Sequence, residues 1–407
     1  MSINSVSSSS FSLENSSLLP QEEMLETGKK TQKLLIGIPK ELDENESRIG
    51  LTPLAVEQLV LRGHTVILES DAGKKTNFEN TDYSEIGATI TNNKADVFNC
   101  DIILKVSPLI DSEIEMLKGN QILFTTLHMA LQDQEYFTKL IQKKITAFAF
   151  EYLKDEYDSF PVVRAMSEIS GSTAILIAAE YLTNVHKGKG EMLGGITGVN
   201  STEVIILGAG TAGEFAARTA MGLGANVKVF DQSSFKLRRL QNNLGHQLNT
   251  SMIQPRLLAK FFKTADVVIG AIRNNDDSTQ YFVSEDIVKT MKKNSVIIDI
   301  SIDQGGCFES SRLTTHKNPT FIKHGVIHYC VPNIPSRVAR TASYAISNIF
   351  SPLLIRLSES GGIRNIVKED IGVRNGLYMY SGILVKSQIG NSFDLPYKDI
   401  NLLLAAF

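Results

Sequence analysis

The chain of 407 residues is long enough for two separate cores, and its 43% hydrophobic and 21% charged composition is that of an ordinary globular protein. A net charge of -3 lacks the basic signature of nucleic-acid binding, and no stretch approaches the roughly 18 uninterrupted apolar residues of a membrane span, so neither nucleic acid nor membrane is expected as a partner. The three cysteines, Cys100, Cys307 and Cys330, have no metal-ligand spacing and are too few for a disulfide framework; no metal is expected, and a reducing cytoplasm fits best.

Residues 1–33 begin "MSINSVSSSSFSLENSS", without the apolar segment of a signal peptide. Glu14, Glu22 and Glu23, with no arginine, disfavour a transit peptide, so the segment reads as a loosely docked extension. From Lys33 onward, short β-rich runs alternate with helix-like segments. The runs are "LLIGIP", "HTVILES", "DIILKV", "QILFTTL" and "ITAFAFEYL"; between them lie amphipathic stretches such as 54–62, opened by Thr52-Pro53 as cap and first helical residue. "KDEYDSFPVVRAMSEISG" reads as a charged, irregular break, followed by a long helix at about 167–185. The Gly-rich "HKGKGEMLGGITGVN" then leads into a second series: "EVIILG", "NVKVFD", "ADVVIGAI", "SVIIDISI" and "VIHYCV". A second long helix is expected at about 341–357. Near-continuous apolar strands separated by helices predict parallel sheets covered on both faces. Two long helices bracketing the second series predict that it is inserted into the first.

The strongest local signal is "EVIILGAGTAGEFAARTAMGLGANVKVFD". A strand runs into Gly208-x-Gly210-x-x-Gly213, with Thr211 and Ala212 between the last two glycines, and a helix follows. The first glycine permits a tight turn, the second lets a pyrophosphate approach the backbone, and the third brings helix against strand. The helix N-terminus offers free N–H groups to phosphates. Asp231 ends the next strand, where a carboxylate hydrogen-bonds a ribose 2′-hydroxyl and repels a 2′-phosphate, so NAD is expected rather than NADP. A glycine turn serving packing alone is the alternative. The fold class is therefore α/β: two Rossmann-like doubly wound domains with mainly parallel sheets. The expected limits are 1–33 for the extension, 34–163 and 340–407 for a discontinuous substrate domain, and 164–339 for the inserted NAD domain.

Ligands bind beyond the carboxyl ends of parallel strands, so polar residues where apolar runs stop are candidates. Arg48, after the first run, offers a planar fork that matches a carboxylate. Lys105, ending "DIILK", supplies a cation for a carboxylate or carbonyl. His128, closing "QILFTTLHMA", titrates near neutrality and suits proton transfer. Asp303 sits at the exit of "SVIIDISI", beside Gly305-Gly306, a pair that leaves room for a flat ring. Asp299, inside the same run, is expected to hydrogen-bond a neighbouring loop. A solvated arginine or lysine, an idle histidine and a packing turn are the ordinary alternatives at these positions.

In combination, "GIPKE…E-x-R…LTP", "LKV", "LFTTLHMA", "MSEISG", "MLGG", "VIILGAGTAG", "DISIDQGGCFESSR", "YCVPNIPS" and "YAISN" resemble the alanine dehydrogenases, a family shared with the NAD-binding part of proton-translocating transhydrogenase. The resemblance runs from about Lys33 to the C-terminus, and "IDQGG" follows the dehydrogenase form. It implies reversible oxidative deamination of L-alanine to pyruvate and ammonium with hydride transfer to NAD, in a homo-oligomer that in the family is usually a hexamer. It assigns His128 and Asp303 as catalytic, and Arg48, Lys105 and Asn333 as substrate-binding. It places Ser167, Asp231, Lys236 and Arg312 on NAD, with Ile300, Ser301 and Ile302, and with Val331 and Ile334. The chain departs from the family pattern at Ser107, where Lys-Glu-Pro is common, at Arg273–Asp277 and at Ile334, often methionine. Two other readings remain open: a dehydrogenase for another small amino acid, and a non-catalytic NAD(H)-binding homologue.

Overall fold

The computed structural model describes residues 31–273 and 281–405. Most of the Ser-rich extension, and the segment 274–280 that includes Asp277, lie outside the described residues.

The chain first lays down β1 (Leu35–Ile38), β2 (Thr65–Glu69), β3 (Thr89–Thr91), β4 (Ile102–Leu104), β5 (Ile122–Thr125) and β6 (Thr146–Ala149). It then forms β7 (Glu203–Leu207), β8 (Asn226–Asp231), β9 (Asn249–Met252), β10 (Val267–Gly270), β11 (Val296–Asp299), β12 (Thr320–Lys323) and β13 (Val326–Tyr329). Finally it returns with β14 (Leu377–Tyr380) and β15 (Ile383–Leu384). The first sheet has the order β15-β14-β6-β5-β4-β1-β2-β3, and the second β12-β13-β11-β10-β7-β8-β9. Both are parallel except at one edge, where β14 and β15, and β12, pair antiparallel. The strand order reverses between β1 and β4 and again between β7 and β10, which puts a ligand crevice at each of those carboxyl ends.

The apolar runs are continuous because both faces of each sheet are covered. Ile102 and Leu104 enter one core while Ile103 enters another. Likewise Val204 and Ile206 pack on one side of β7, and Ile205 and Leu207 on the other. Each such buried side chain contributes roughly 1.5–3 kcal/mol. The runs not foreseen, β3, β9, β12, β14 and β15, are edge strands or sit beside an edge, and the first two are short and largely polar ("TIT", "NTSM").

Both long helices form. The first is Pro161–Leu182, so "PVVRAMSEISG" is helical and not the irregular break expected. Pro161 occupies the helix start, where its missing N–H costs nothing. Gly171 is no breaker: a Cβ there would meet the Ala212 carbonyl oxygen at 2.1 Å, so its hydrogen lets the helix touch the helix Thr211–Gly222. By length and composition Pro161–Leu182 would span a bilayer. In this fold Val162 joins the first core and Ala174–Leu182 supply the second, so the helix bridges the two lobes. The other long helix, Ala339–Glu359, packs Ile346, Phe350, Leu353, Leu354 and Leu357 into the first core.

Candidate active site

The glycine turn after β7 forms a cradle. Gly208 has φ +111°, and a Cβ there would meet the Ala271 carbonyl oxygen at 2.4 Å. A Cβ on Gly213 would strike the Gly208 carbonyl oxygen at 1.8 Å, so the helix Thr211–Gly222 lies directly on the turn. At Gly210 a Cβ would meet nothing within 4 Å; this is open space beside the helix N-terminus, as a pyrophosphate requires. The residues fit NAD. Asp231 is buried, with Oδ2 accepting from Ala209 N–H at 2.7 Å and Oδ1 from Ser233 N–H at 2.7 Å. It therefore shapes the turn, and each oxygen keeps a lone pair for a ribose hydroxyl. Thr211 and Ala212 open the helix. Ser167 is half-buried one turn before Gly171 on the bridging helix, and Lys236 is exposed in the first turn of the helix Ser234–Leu244.

Other expected cofactor positions differ in kind. Ile300 and Ser301 are half-buried beyond β11. Ile302, Val331 and Ile334 are buried, the last two within the second core, so those two side chains serve packing. Arg312 lies with its guanidinium carbon 4.2 Å from the Phe321 ring centroid, and that ring stacks on His328.

Asp303 and His128 approach one another from the two lobes. Asp303 follows β11 in a short 3-10 turn, exposed at the cleft. Partial removal of water raises its pKa, while the charges of His128 and then Arg273 oppose that rise. His128 follows β5 in a left-handed conformation, φ 46°. Glu151 holds that turn: its carboxylate accepts from Leu127 N–H at 2.9 Å and from His128 N–H at 3.0 Å. Asp299, fully buried, accepts from Cys307 N–H at 2.9 Å, Ser311 Oγ at 2.7 Å and Ser301 N–H at 3.2 Å. Burial lifts its pKa to about 6 against those bonds. A Cβ on Gly306 would meet Asp299 Oδ2 at 2.7 Å, so that glycine answers to packing, whereas Gly305, at φ +95°, borders open space.

Arg48 is buried and committed. Its Nε and Nη2 donate to Glu46 Oε1 and Oε2 at 2.8 and 2.6 Å, and Nη1 faces Met166 Sδ at 3.3 Å. Asn333, also in a left-handed turn, donates from Nδ2 to Glu46 Oε2 at 3.0 Å. Lys105 departs from expectation. It is 2% exposed, and its ammonium donates to Glu113 Oε2 at 2.8 Å and the Pro108 carbonyl at 3.2 Å, with Glu41 Oε2 at 3.8 Å. Leu104 and Val106 pack into the first core, and by strand alternation Lys105 points to the opposite face, where these acids hold it. Glu41 holds the same loop: Oε1 accepts from Val106 N–H at 2.6 Å, and Oε2 from the Ser107 hydroxyl. Burial pushes the Glu41 pKa up to about 7, with Lys105 opposing.

Residue type at strand ends singled out Arg48, Lys105, His128 and Asp303 but missed Glu41, Glu46, Glu113, Glu151 and Ser336. Glu41 and Glu46 stood inside the "GIPKE" and "E-x-R" segments. A buried acid cannot be told from a solvated one by its neighbours in sequence.

Two family models cover most of the chain: alanine dehydrogenase/PNT, N-terminal domain, over residues 37–170, and alanine dehydrogenase/PNT, C-terminal domain, over residues 174–387. The chain belongs to the alanine dehydrogenase/PNT family. It is 39% identical over 366 residues to alanine dehydrogenase 2 of Staphylococcus aureus (strain USA300), covering 90% of this chain and 98% of that protein. A solved L-alanine dehydrogenase superposes with TM-score 0.82 at 33% identity, covering 88% of this chain and 98% of that one. A transhydrogenase from Sinorhizobium meliloti shares the fold, with TM-score 0.72 at 23% identity over 86% of this chain and 98% of its own. Membership accounts for the paired Rossmann-like lobes.

Proposed function

We propose that the chain is an NAD-dependent L-alanine dehydrogenase, catalysing the reversible oxidative deamination of L-alanine to pyruvate and ammonium. One observation carries the reading: His128, at the end of β5, and Asp303, beyond β11, come from different lobes, yet the imidazole lies close enough for its charge to act on the Asp303 carboxyl. The similarity to an alanine dehydrogenase across 98% of its length supports the substrate.

NAD, held by Gly208–Gly213, Asp231 and the Ile300–Ile302 backbone, supplies the hydride acceptor. The residues of the chain do the rest. Arg48 presents its Nη1 edge to the substrate carboxylate, the other edge being occupied by Glu46. Lys105 adds positive potential. His128 moves protons between substrate nitrogen and oxygen at its exposed imidazole. Asp303, its pKa raised, orients water or ammonia and takes a proton from it. Asn333 sits where substrate and nicotinamide meet.

Ser107, joined to Glu41 near the cleft, favours a second reading: the same chemistry on a different small amino acid. NADH oxidation with pyruvate plus ammonium, against pyruvate alone and against a panel of other 2-oxo acids plus ammonium, separates the two. Dependence on ammonium with pyruvate preferred supports the first. Dependence with another acid preferred supports the second, and no turnover with any acid discards both.

The expected domain limits, 1–33, 34–163 with 340–407, and 164–339, belong to the same proposal, as do a homo-oligomer, by family likeness a hexamer, and residence in the cytoplasm. Three free, buried cysteines agree with a reducing compartment. Light scattering on the purified chain reads the oligomer directly.

A further inference from the structure

The loop after β1 and the loop after β13 meet in a hydrogen-bonded cluster whose centre is Glu46, 3% exposed. Its Oε1 accepts from Arg48 N–H at 2.9 Å, Arg48 Nε at 2.8 Å and Ser336 Oγ at 2.8 Å. Its Oε2 accepts from Arg48 Nη2 at 2.6 Å and Asn333 Nδ2 at 3.0 Å. A carboxylate has about four lone-pair directions, so this one is saturated. Two more bonds run between the same two loops: Asn333 Nδ2 also donates to the Asn45 carbonyl at 3.2 Å, and Ser47 N–H to Ser336 Oγ at 3.2 Å. From the segment before β12, His316 N–H donates to Asn45 Oδ1 at 3.3 Å.

We propose that Glu46 is a positioning residue that ties the two lobes across the cleft, fixing the Arg48 guanidinium and the Asn333 amide relative to one another. Arg48 follows β1 of the first sheet, and Asn333 follows β13 of the second. Each has a single strong anchor in common, the Glu46 carboxylate. Its hold is geometric as well as electrostatic: a bidentate pair sets the plane of the guanidinium and leaves Nη1, which donates to Met166 Sδ at 3.3 Å, as the one edge not held by Glu46. Asn333 stands at φ 59°, so the side chain leaves the backbone in a direction fixed by that turn, and the amide reaches Glu46 without slack. Burial alone would raise the Glu46 pKa, but Arg48 and then Ser336 overcome this and hold it at about 2, so the tie stays ionised throughout the working range. What Arg48 and Asn333 touch rests on the dehydrogenase reading; the tie between the lobes does not.

The test compares the full-length chain with Glu46→Gln, which keeps the shape and removes the charge, and with Ser336→Ala, which removes one donor and keeps the Arg48 pair. Two readouts are taken. Small-angle scattering without ligands should show Glu46→Gln more open than the parent, with Ser336→Ala between them. In NADH oxidation, Glu46→Gln should raise KM for pyruvate and lower kcat/KM roughly a hundredfold, as misplacement of a substrate anchor does, while the Kd for NADH from fluorescence titration stays at the parent value. A merely structural residue would lower folded protein and NADH binding together. An unchanged scattering curve overturns the tie, and an unchanged KM for pyruvate overturns the positioning role. If Glu46→Gln does not fold, Ser336→Ala decides by the same two readouts. Should the parent itself oxidise no NADH with pyruvate and ammonium, the dehydrogenase reading fails and the scattering comparison still decides the tie.

Discussion

At the scale of single residues, position relative to the cleft separates groups of like chemistry. His128 is exposed and Lys105 is buried, although both stand at the end of an apolar strand. For His128→Ala we expect turnover to fall by roughly 10²–10⁴ with the Kd for NADH unchanged; an unaltered rate would remove the histidine from the chemistry. Glu41 offers a different test, because its pKa is pushed up to about 7 from an ordinary 4.5. The folded chain thus holds this proton more tightly than the unfolded one. The penalty for burying the ionised form is absent below about pH 4.5, grows up to about pH 7 and is constant above it. The stability difference between Glu41→Gln and the parent should therefore move in favour of the variant by about 3 kcal/mol between pH 4.5 and 8, read from urea unfolding at both values. A difference that does not vary with pH would show that Glu41 is not buried as an acid.

At the scale of elements, small residues decide how closely helices and loops approach. Gly171 brings Pro161–Leu182 against the first turn of Thr211–Gly222, the turn that receives the dinucleotide. Gly171→Val should lower stability by about 1–3 kcal/mol through overpacking and also weaken NADH binding. Loss of stability at parental NADH affinity would mean that the contact does not shape the cradle. Ala339–Glu359 works through serines spaced by one turn. Ser343 accepts from Ile49 N–H at 2.9 Å and Ser347 from Thr52 N–H at 3.1 Å, so the helix secures the very segment that carries Arg48. These serines occupy one face because 3.6 residues complete a turn, and they satisfy backbone donors that a buried loop would otherwise leave unpaired.

At the scale of the whole molecule, the cleft lies between two lobes joined by Pro161–Leu182 and by the entry into Ala339–Glu359. Reactive groups drawn from both lobes require the lobes to adopt one separation when the substrate reacts. Crystals grown with and without NADH should accordingly differ in the angle between the sheets, with the change confined to those two connections. Identical angles would mean a cleft that works without closure.

The period of the apolar runs, the glycine turn and the acid ending β8 were enough to establish two doubly wound lobes and a dinucleotide cradle, because these depend on contacts a few residues apart. Arg48, His128 and Asp303 became candidates for a related reason: in a parallel sheet, the end of a strand is a place in space as well as in sequence. Which partners each charge takes was not legible. Lys105 looks like His128 in one dimension and differs because Glu113, eight residues on, and Glu41, from the loop after β1, hold its ammonium in a buried cluster. Glu46 likewise acquires its role from Asn333 and Ser336, nearly three hundred residues away. Local order sets the strands, the helices and the turns between them; the partners of a buried charge are chosen by packing, where the cost of an unpaired ion outweighs any local preference.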